Sequence, residues 1–537
     1  MSSFTLRLLS ATSALAAVTC LSGIAHAQGN SSNAPGQNMA EVIPAANHDH
    51  TFVLRNAPGK PIDTSVIKEA KDKRRVPYED PVDFDGDKAP QNGHILSAAA
   101  PTTTGLGVDG VGKGFPGFTV QSAPPDTTGA VGATQYVQWV NSSFAVFNKS
   151  TGVAVYGPVA GNTLFTGFGG ACETSNDGDP VVQYDKLAKR WVLMQFAVPT
   201  GGPYFQCVAV SRTSDATGLY DRYSFQYTGF NDYPKAGVWP DGYYVTYNIF
   251  NGNSFGGAKV CAMDRASMLA GLAATQQCFQ LSTAYGGLLP ADLDGSIAPS
   301  AGTPNYVMNL GTNKLNLWKF NVNWATPASS TFTGPTAIPV AAFAAACGGG
   351  TCIPQAGTNR TLDSLADRLM YRLAYRKFAD GHEALVVNHA VSLGTNRKNT
   401  YEGTRWYEVR SPNTTPVVFQ QSSYAPDSTS RWMGSIAMDK QGNIALGYSA
   451  SSSAIKPALR YATRLATDAV NTLSNETVVV QGTGSQTGTL SRWGDYSHMS
   501  IDPVDDCTFW YTSEYLKADG TFNWSTRIAS FKINGCQ

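Results

Sequence analysis

The strongest constraint on this 537-residue chain is a pattern that recurs seven times along it. It is clearest from Asp179 to Phe196, where the alternating run DPVVQYD is followed by a short polar turn and a second apolar run, RWVLMQF. Successive side chains of a strand point to opposite faces, so two such runs around a turn read as a β-hairpin. The same outline fits Asp126 to Asn141, Asp232 to Asn248, Asp294 to Leu310, Arg368 to Asn388, Arg431 to Tyr448 and Arg492 to Tyr511. The starts of consecutive copies lie 53, 53, 62, 74, 63 and 61 residues apart.

A lone hairpin cannot bury both of its faces, so repeats of this kind must stack on one another. A near-regular period of this size, built from strands rather than helix pairs, is the signature of an all-β, seven-bladed β-propeller. The alternative is a large β-sandwich whose hairpins resemble each other by accident. From Phe115 to Gln537 there are about 60 residues per repeat, enough for one four-stranded blade. Helix is predicted only as short excursions, chiefly Asp264 to Ala274, where an aspartate precedes good helix formers.

The chain begins differently. Arg7, the mostly apolar or small run from Leu8 to Ile24 and the small-x-small triplet Ala25-His26-Ala27 predict a signal peptide over residues 1–27, hence a secreted or periplasmic protein with no membrane span. Eight cysteines remain after Cys20 leaves with it, and an even number in an oxidising compartment favours disulfides over metal. Sequence neighbours suggest 172 with 207, 261 with 278, 347 with 352 and 507 with 536, although eight cysteines allow 105 connectivities. Residues 28–114 are polar and punctuated by proline and glycine, and they read as an extended, irregular segment open to processing at the basic cluster Lys68 to Arg75. Gly107 to Lys113 falls short of a phosphate loop, because Gly114 stands where a serine or threonine should hold magnesium.

Charged residues are only 15% of the chain and balance at 39 basic and 39 acidic, so there is no basic stripe for nucleic acid. A neutral surface rich in Tyr, Trp, Asn and Ser suits neutral polar ligands such as sugars, although most of the 24 tyrosines and 10 tryptophans should pack between blades. The partner expected is an extracellular glycan, met by a monomer.

In a propeller, residues just ahead of each innermost strand converge on one central mouth. The first four repeats bring Asp126, Asp179, Asp232 and then Asp292 and Asp294 to that register, and the last three bring Arg368, Arg431 and Arg492, with Asp363, Asp367 and Asp495 nearby. Two carboxylates whose environments separate their pKa values can share acid and base roles, the basis of most glycosidic hydrolysis. Asp179 and Asp232 are the first candidates, with Asp126 and Asp495 beside them. Arg368, Arg431 and Arg492 could clamp a substrate carboxylate, and His498 could assist in binding or as a base. Repeated aspartates also fix repeated turns, which competes with the functional reading. No metal site is expected: the oxygen-rich stretches Ser175 to Asp179 and Asp83 to Asp87 invite calcium, but neither completes a known loop, and His48-Asp49-His50 reads as an incidental polar cluster.

This layout resembles that of the sialidases, secreted propellers with an arginine triad. The resemblance is architectural and covers the propeller core; the nearest stretch to an Asp-box of the form SxDxGxxW is Asp439-Lys440-Gln441-Gly442-Asn443-Ile444. It implies a secreted carbohydrate-active enzyme, foremost a glycoside hydrolase. The alternatives are a non-catalytic propeller that holds a glycan or protein, and a polysaccharide lyase with His498 or a tyrosine as base.

Overall fold

Six of the seven sequence repeats become the first two strands of a blade in the computed structural model, which describes residues 1, 39–62, 69–70, 74–81, 86–91, 102–393 and 401–537; the repeat from Asp294 to Leu310 instead begins at the last residue of its blade's first strand, Leu289–Asp294. Apart from Met1, the expected signal segment lies outside these residues, as do Lys68 and residues 71–73 of the basic cluster. Blades 1 to 6 start with the strands Thr128–Val131, Gly178–Asp185, Phe230–Trp239, Leu289–Asp294, Met370–Lys377 and Ser430–Met438, and each continues through three more antiparallel strands. Blade 7 runs from His498–Ile501 through Thr508–Leu516 and Trp524–Ile533. Its fourth strand comes from the other end of the chain: Thr102–Asp109 pairs antiparallel with Trp524–Ile533, Asp109 lying opposite Arg527. The propeller therefore begins ahead of residue 115, the boundary expected from sequence.

Each first strand lies against the first strands of both neighbouring blades, and that of blade 7 returns to that of blade 1, so the ring is closed. Between blades 4 and 5 these strands pair directly and in parallel, Ala291 opposite Leu373 and Asp294 opposite Arg376. Such proximity excludes side chains at certain points. A Cβ on Gly237 would stand 2.3 Å from the carbonyl oxygen of Ala291, so blades 3 and 4 can meet there only at a glycine. Sandwiched blades are covered on both faces, which is why Gly178–Asp185 and Ser430–Met438 are buried along their whole length, while the outermost strand Thr331–Pro339 is mostly exposed.

Closure is also stitched by side chains. Gln138 of blade 1 donates from Nε2 to Thr512 Oγ1 (2.7 Å) and Thr526 Oγ1 (3.0 Å) of blade 7, and its Oε1 accepts from the N–H of Val111 (2.7 Å). A chain that starts at Thr102 keeps the fourth strand of blade 7 and one that starts at Gly110 lacks it. The shorter chain is expected to melt lower by about 5 °C or more, as read by circular dichroism.

The segment before residue 102 adds strands to two blades. Asn47–His50 pairs with Tyr220–Tyr227 as a fifth strand of blade 2, and Glu41–Pro44 with Thr275–Gln280 as a fifth strand of blade 3. This places Asp49 in an ion pair with Arg222 (2.7 Å) and stacks His48 on Tyr223. The expected short helix is real but limited to Arg265–Leu269, capped by the Asp264 carboxylate, which accepts from the N–H of Ser267 (3.0 Å).

All four neighbour pairs of cysteines form disulfides. Cys261 and Cys278 face each other across adjacent strands of blade 3, and Cys507–Cys536 ties the C-terminal tail to blade 7. Cys172 sits on a short helix, Gly170–Thr174, and pins that helix to blade 2 through Cys207. Among the described residues no helix is long and apolar enough to cross a membrane.

Candidate functional site

The mouth is built on a repeated backbone irregularity. Asp126, Asp179, Tyr233, Met433 and Asp495 all adopt φ between 43° and 61°, at 48°, 44°, 55°, 54° and 60°. L-residues seldom adopt this region, and its recurrence in five blades marks a designed feature. Strand pairing slips at the same place, between Gly178 and Val181, Asp232 and Lys235, and Trp432 and Ser435, as a β-bulge requires. The bulge turns one residue per blade away from the ladder at the start of the inner strand. By this measure the residue equivalent to Asp126 and Asp179 in blade 3 is Tyr233, one past Asp232, and in blade 6 it is Met433, two past Arg431.

Asp126, Asp179 and Asp495 come together, since each bears electrostatically on both Lys235 and Tyr496. Lys235 is completely buried at their centre. Its Nζ lies 3.5 Å from the ring centre of Tyr233 and 3.8 Å from that of Tyr496, and donates to the Pro234 carbonyl (2.8 Å). Burial lowers its pKa to about 7, against the pull of the three carboxylates, so two aromatic faces stand in for part of the lost water. The tyrosines are fixed in turn: Tyr233 donates to the Asp495 carbonyl (3.3 Å) and Tyr496 to the Pro180 carbonyl (3.1 Å).

Asp232 is half-buried beside this group. Burial, then the Asp179 carboxylate, pushes its pKa up to about 7, with Asp495 adding to the rise and Arg74 and Arg368 opposing it. It is a carboxylic acid near neutrality, next to another carboxyl group. Among the aspartates, Asp126 accepts from Asn141 Nδ2 (2.9 Å), which holds the first bulge.

The arginines divide. Arg368 donates from Nε to Asp367 Oδ1 (2.8 Å) and from Nη2 to the Arg74 carbonyl (2.8 Å), and its guanidinium lies 4.6 Å from the Tyr233 ring centre. Arg492 donates from Nη2 to Asp495 Oδ2 (2.6 Å) and from Nη1 to Asp363 Oδ2 (3.1 Å). Both belong to the mouth. Arg431 does not: it is buried within blade 6, where Nε donates to Glu476 Oε2 and Nη1 to Asp427 Oδ1, both at 2.9 Å. The expected triad of arginines is therefore not assembled. Arg431 and Arg492 share an Arg-Trp pair, but the bulge follows them at different distances, at Met433 and at Asp495.

His498 also lies elsewhere than expected. It is fully buried on the inner strand, its Nδ1 accepting from the N–H of Gly129 (3.3 Å) and lying 3.2 Å from Thr128 Oγ1. Burial, reinforced by the charge of Arg372, holds its pKa well below 6.5, so it stays neutral. It belongs to a second charged layer that fills the ring beneath the mouth. There Arg372 pairs with Asp292 and Asp294 (2.5 Å each), and Lys186 with Asp294 (2.5 Å). Asp292 and Asp294, placed at the mouth by sequence, are buried in this plug. Burial would raise the Asp294 pKa, but Arg372 and Lys186 outweigh it and hold the group well below the usual carboxylate range.

The N-terminal segment reaches the rim. The Arg74 guanidinium stacks over Phe230 (4.6 Å) and Phe250 (4.8 Å), and the N–H of Val76 donates to Asp367 Oδ2 (3.3 Å). Sequence reasoning missed Lys235, Tyr233, Tyr496 and Arg74. A lysine inside the otherwise apolar run Lys235 to Trp239 was the available signal. Of the two oxygen-rich stretches, Asp83 to Asp85 lie outside the described residues, Asp87 pairs with Arg405 (2.6 Å) and Asp177 accepts from the N–H of Val198 (2.6 Å).

Fold and site together define a closed seven-bladed β-propeller with a ring of carboxylates around a buried lysine at its mouth. No protein-family model and no curated protein matches the sequence. The chain is similar to several solved structures. The polysaccharide lyase Uly1 is 10% identical, with 92% of this chain and 100% of that one covered and a TM-score of 0.37. The exo-β-1,3-galactanase 1,3Gal43A from Clostridium thermocellum is 11% identical over 76% and 81% of the two chains, with a TM-score of 0.29. The WD40 domain of SCAP from fission yeast is 8% identical over 75% and 82%, with a TM-score of 0.32.

Proposed function

We propose that this protein is a carbohydrate-active propeller that hydrolyses glycosidic bonds of an extracellular polysaccharide or oligosaccharide at its central mouth. The observation that carries the reading is the place of the Asp232 carboxyl group, half-buried at the mouth and close enough to Asp179 that burial and that carboxylate together push its pKa up to about 7. A group of this kind can protonate a leaving glycosidic oxygen, while a neighbouring carboxylate activates water or supports the developing positive charge of the sugar ring. Asp232 takes the first role and Asp179 the second. Asp495 adds to the field at Asp232, and Arg74 and Arg368 oppose it. Arg368 and Arg492 are already committed to Asp367, Asp495 and Asp363, so they shape the mouth, and a neutral glycan fits it better than one bearing a carboxylate.

The test is incubation with a panel of neutral and acidic polysaccharides, with two readouts. New reducing ends without unsaturated product are expected. Ultraviolet-absorbing unsaturated ends would instead identify a lyase, with Lys235, poised near neutrality between two tyrosines, as the first base to examine. A glycan retained intact would identify a binding propeller, and the hydrolase reading would fall in both cases.

A further inference from the structure

Three of the four disulfides are sealed inside the protein: Cys172, Cys207, Cys261, Cys278, Cys507 and Cys536 are each at most 2% exposed. The bridge Cys347–Cys352 differs on two independent counts. Both of its cysteines are part-exposed, in the loop between blades 4 and 5. Behind them stands a buried carboxyl group: Glu402 Oε1 lies 3.1 Å from Cys352 Sγ and 3.8 Å from Cys347 Sγ. Glu402 projects from the strand Tyr401–Arg410 of blade 5, is 2% exposed, and its Oε2 has no hydrogen-bond partner among the described residues. Burial pushes its pKa up to about 7, a hydrogen bond from Ser392 opposing the rise.

A buried acid of this kind is costly unless it has a task. Beside the Ser392 hydroxyl, the neighbour of its carboxyl group is a disulfide, which offers it no hydrogen to accept. When a thiolate opens a disulfide, the departing sulfur takes the bonding pair and leaves faster if a proton meets it. We propose that Cys347–Cys352 is a thiol–disulfide exchange site in which Glu402 carries the proton.

The thiolate of an external dithiol attacks Cys347 Sγ. A new sulfur–sulfur bond forms there as the Cys347–Cys352 bond breaks. Cys352 Sγ, nearest to Glu402, takes the electron pair and the carboxyl proton. The second thiol of the reductant then attacks the mixed disulfide, releasing Cys347 as a thiol and leaving the reductant oxidised, and Glu402 regains from solvent the proton that the first thiol lost there, so two electrons and two protons pass to the protein overall. In the reverse direction the Glu402 carboxylate accepts the Cys352 proton and generates the attacking thiolate. The bridged loop is joined to the mouth, since Ser364 donates from its N–H to the Gly350 carbonyl (3.0 Å) and from Oγ to the Ala346 carbonyl (2.9 Å), four residues before Arg368.

The test uses the folded full-length protein and dithiothreitol, with timed alkylation and peptide mass mapping. Cys347 and Cys352 should be labelled first, at a rate at least about tenfold above that of any other cysteine, and Glu402→Gln should slow their labelling by about tenfold or more while the other six keep their order. Labelling of this pair no sooner than the rest would overturn the proposal, and that comparison needs no variant. So would an E402Q rate equal to that of the unaltered protein.

Discussion

Asp232→Asn is expected to reduce glycan hydrolysis by at least about 100-fold, the usual scale of losing a general acid, without loss of the folded state. Asparagine fills the same space and cannot supply a proton, so the loss should fall on kcat more than on KM. The unaltered enzyme carries its own signature. Its active form needs Asp232 protonated, and with a pKa of about 7 the rate should decline as pH rises through neutrality. Arg74 and Arg368 hold that pKa down, so Arg74→Ala should move the decline to higher pH. Asp179→Asn tests the partner role in the same assay, and retention of full activity by both variants would remove these carboxyls from the reaction.

The second large effect is on stability. Arg372→Met should destabilise the ring by about 3 to 5 kcal/mol, the scale of stranding a buried charge, and lower the Tm by about 5 °C or more. The guanidinium is buried between Asp292 and Asp294, and it also donates from Nε to the Met499 carbonyl (2.9 Å) of blade 7. Removing it leaves Asp294 with Lys186 and Asp292 with only Gln183 and the Val238 N–H. Neutralising the acids as well, in Arg372→Met/Asp292→Asn/Asp294→Asn, should recover part of the loss, because the penalty comes from unpaired charge rather than from the pairing itself. Chemical denaturation of the single and triple variants measures both.

The distance between these two sites in sequence and their adjacency in space show what could be read from the chain. The clearest inner hairpin was legible because both of its strands are long and covered, so Gly178–Asp185 and Arg190–Ala197 carry their pattern in plain view, whereas the first strand of blade 4, Leu289–Asp294, lies ahead of the repeat read from Asp294. The closing strand Thr102–Asp109 was not, since an outermost strand is wet on much of its surface and TTTGLGVD shows no apolar alternation. At the mouth, Asp126, Asp179, Asp232, Asp495, Arg368 and Arg492 were placed by register and do share one neighbourhood. Arg431 and His498 were not brought there, because a bulge changes which residue faces the axis and a one-residue slip in a strand exchanges its faces. Lys235 escaped because a lysine in a buried strand reads as an exception, and only the two tyrosine rings explain how it is tolerated.

What most directly tests this account is the difference in Tm between Asp232→Asn and the unaltered protein across pH 4 to 8. The Asp232 pKa is raised on folding, from 3.8 to about 7, so its contribution to stability is complete below 3.8 and is lost as pH rises through 7. Asparagine does not titrate. The variant should therefore gain on the unaltered protein steadily between about pH 4 and 7, by about 2 °C or more, and hold that lead at pH 8. A difference that stays constant across the range would show a carboxylate ionised like any exposed aspartate, and the mouth would then hold no acid.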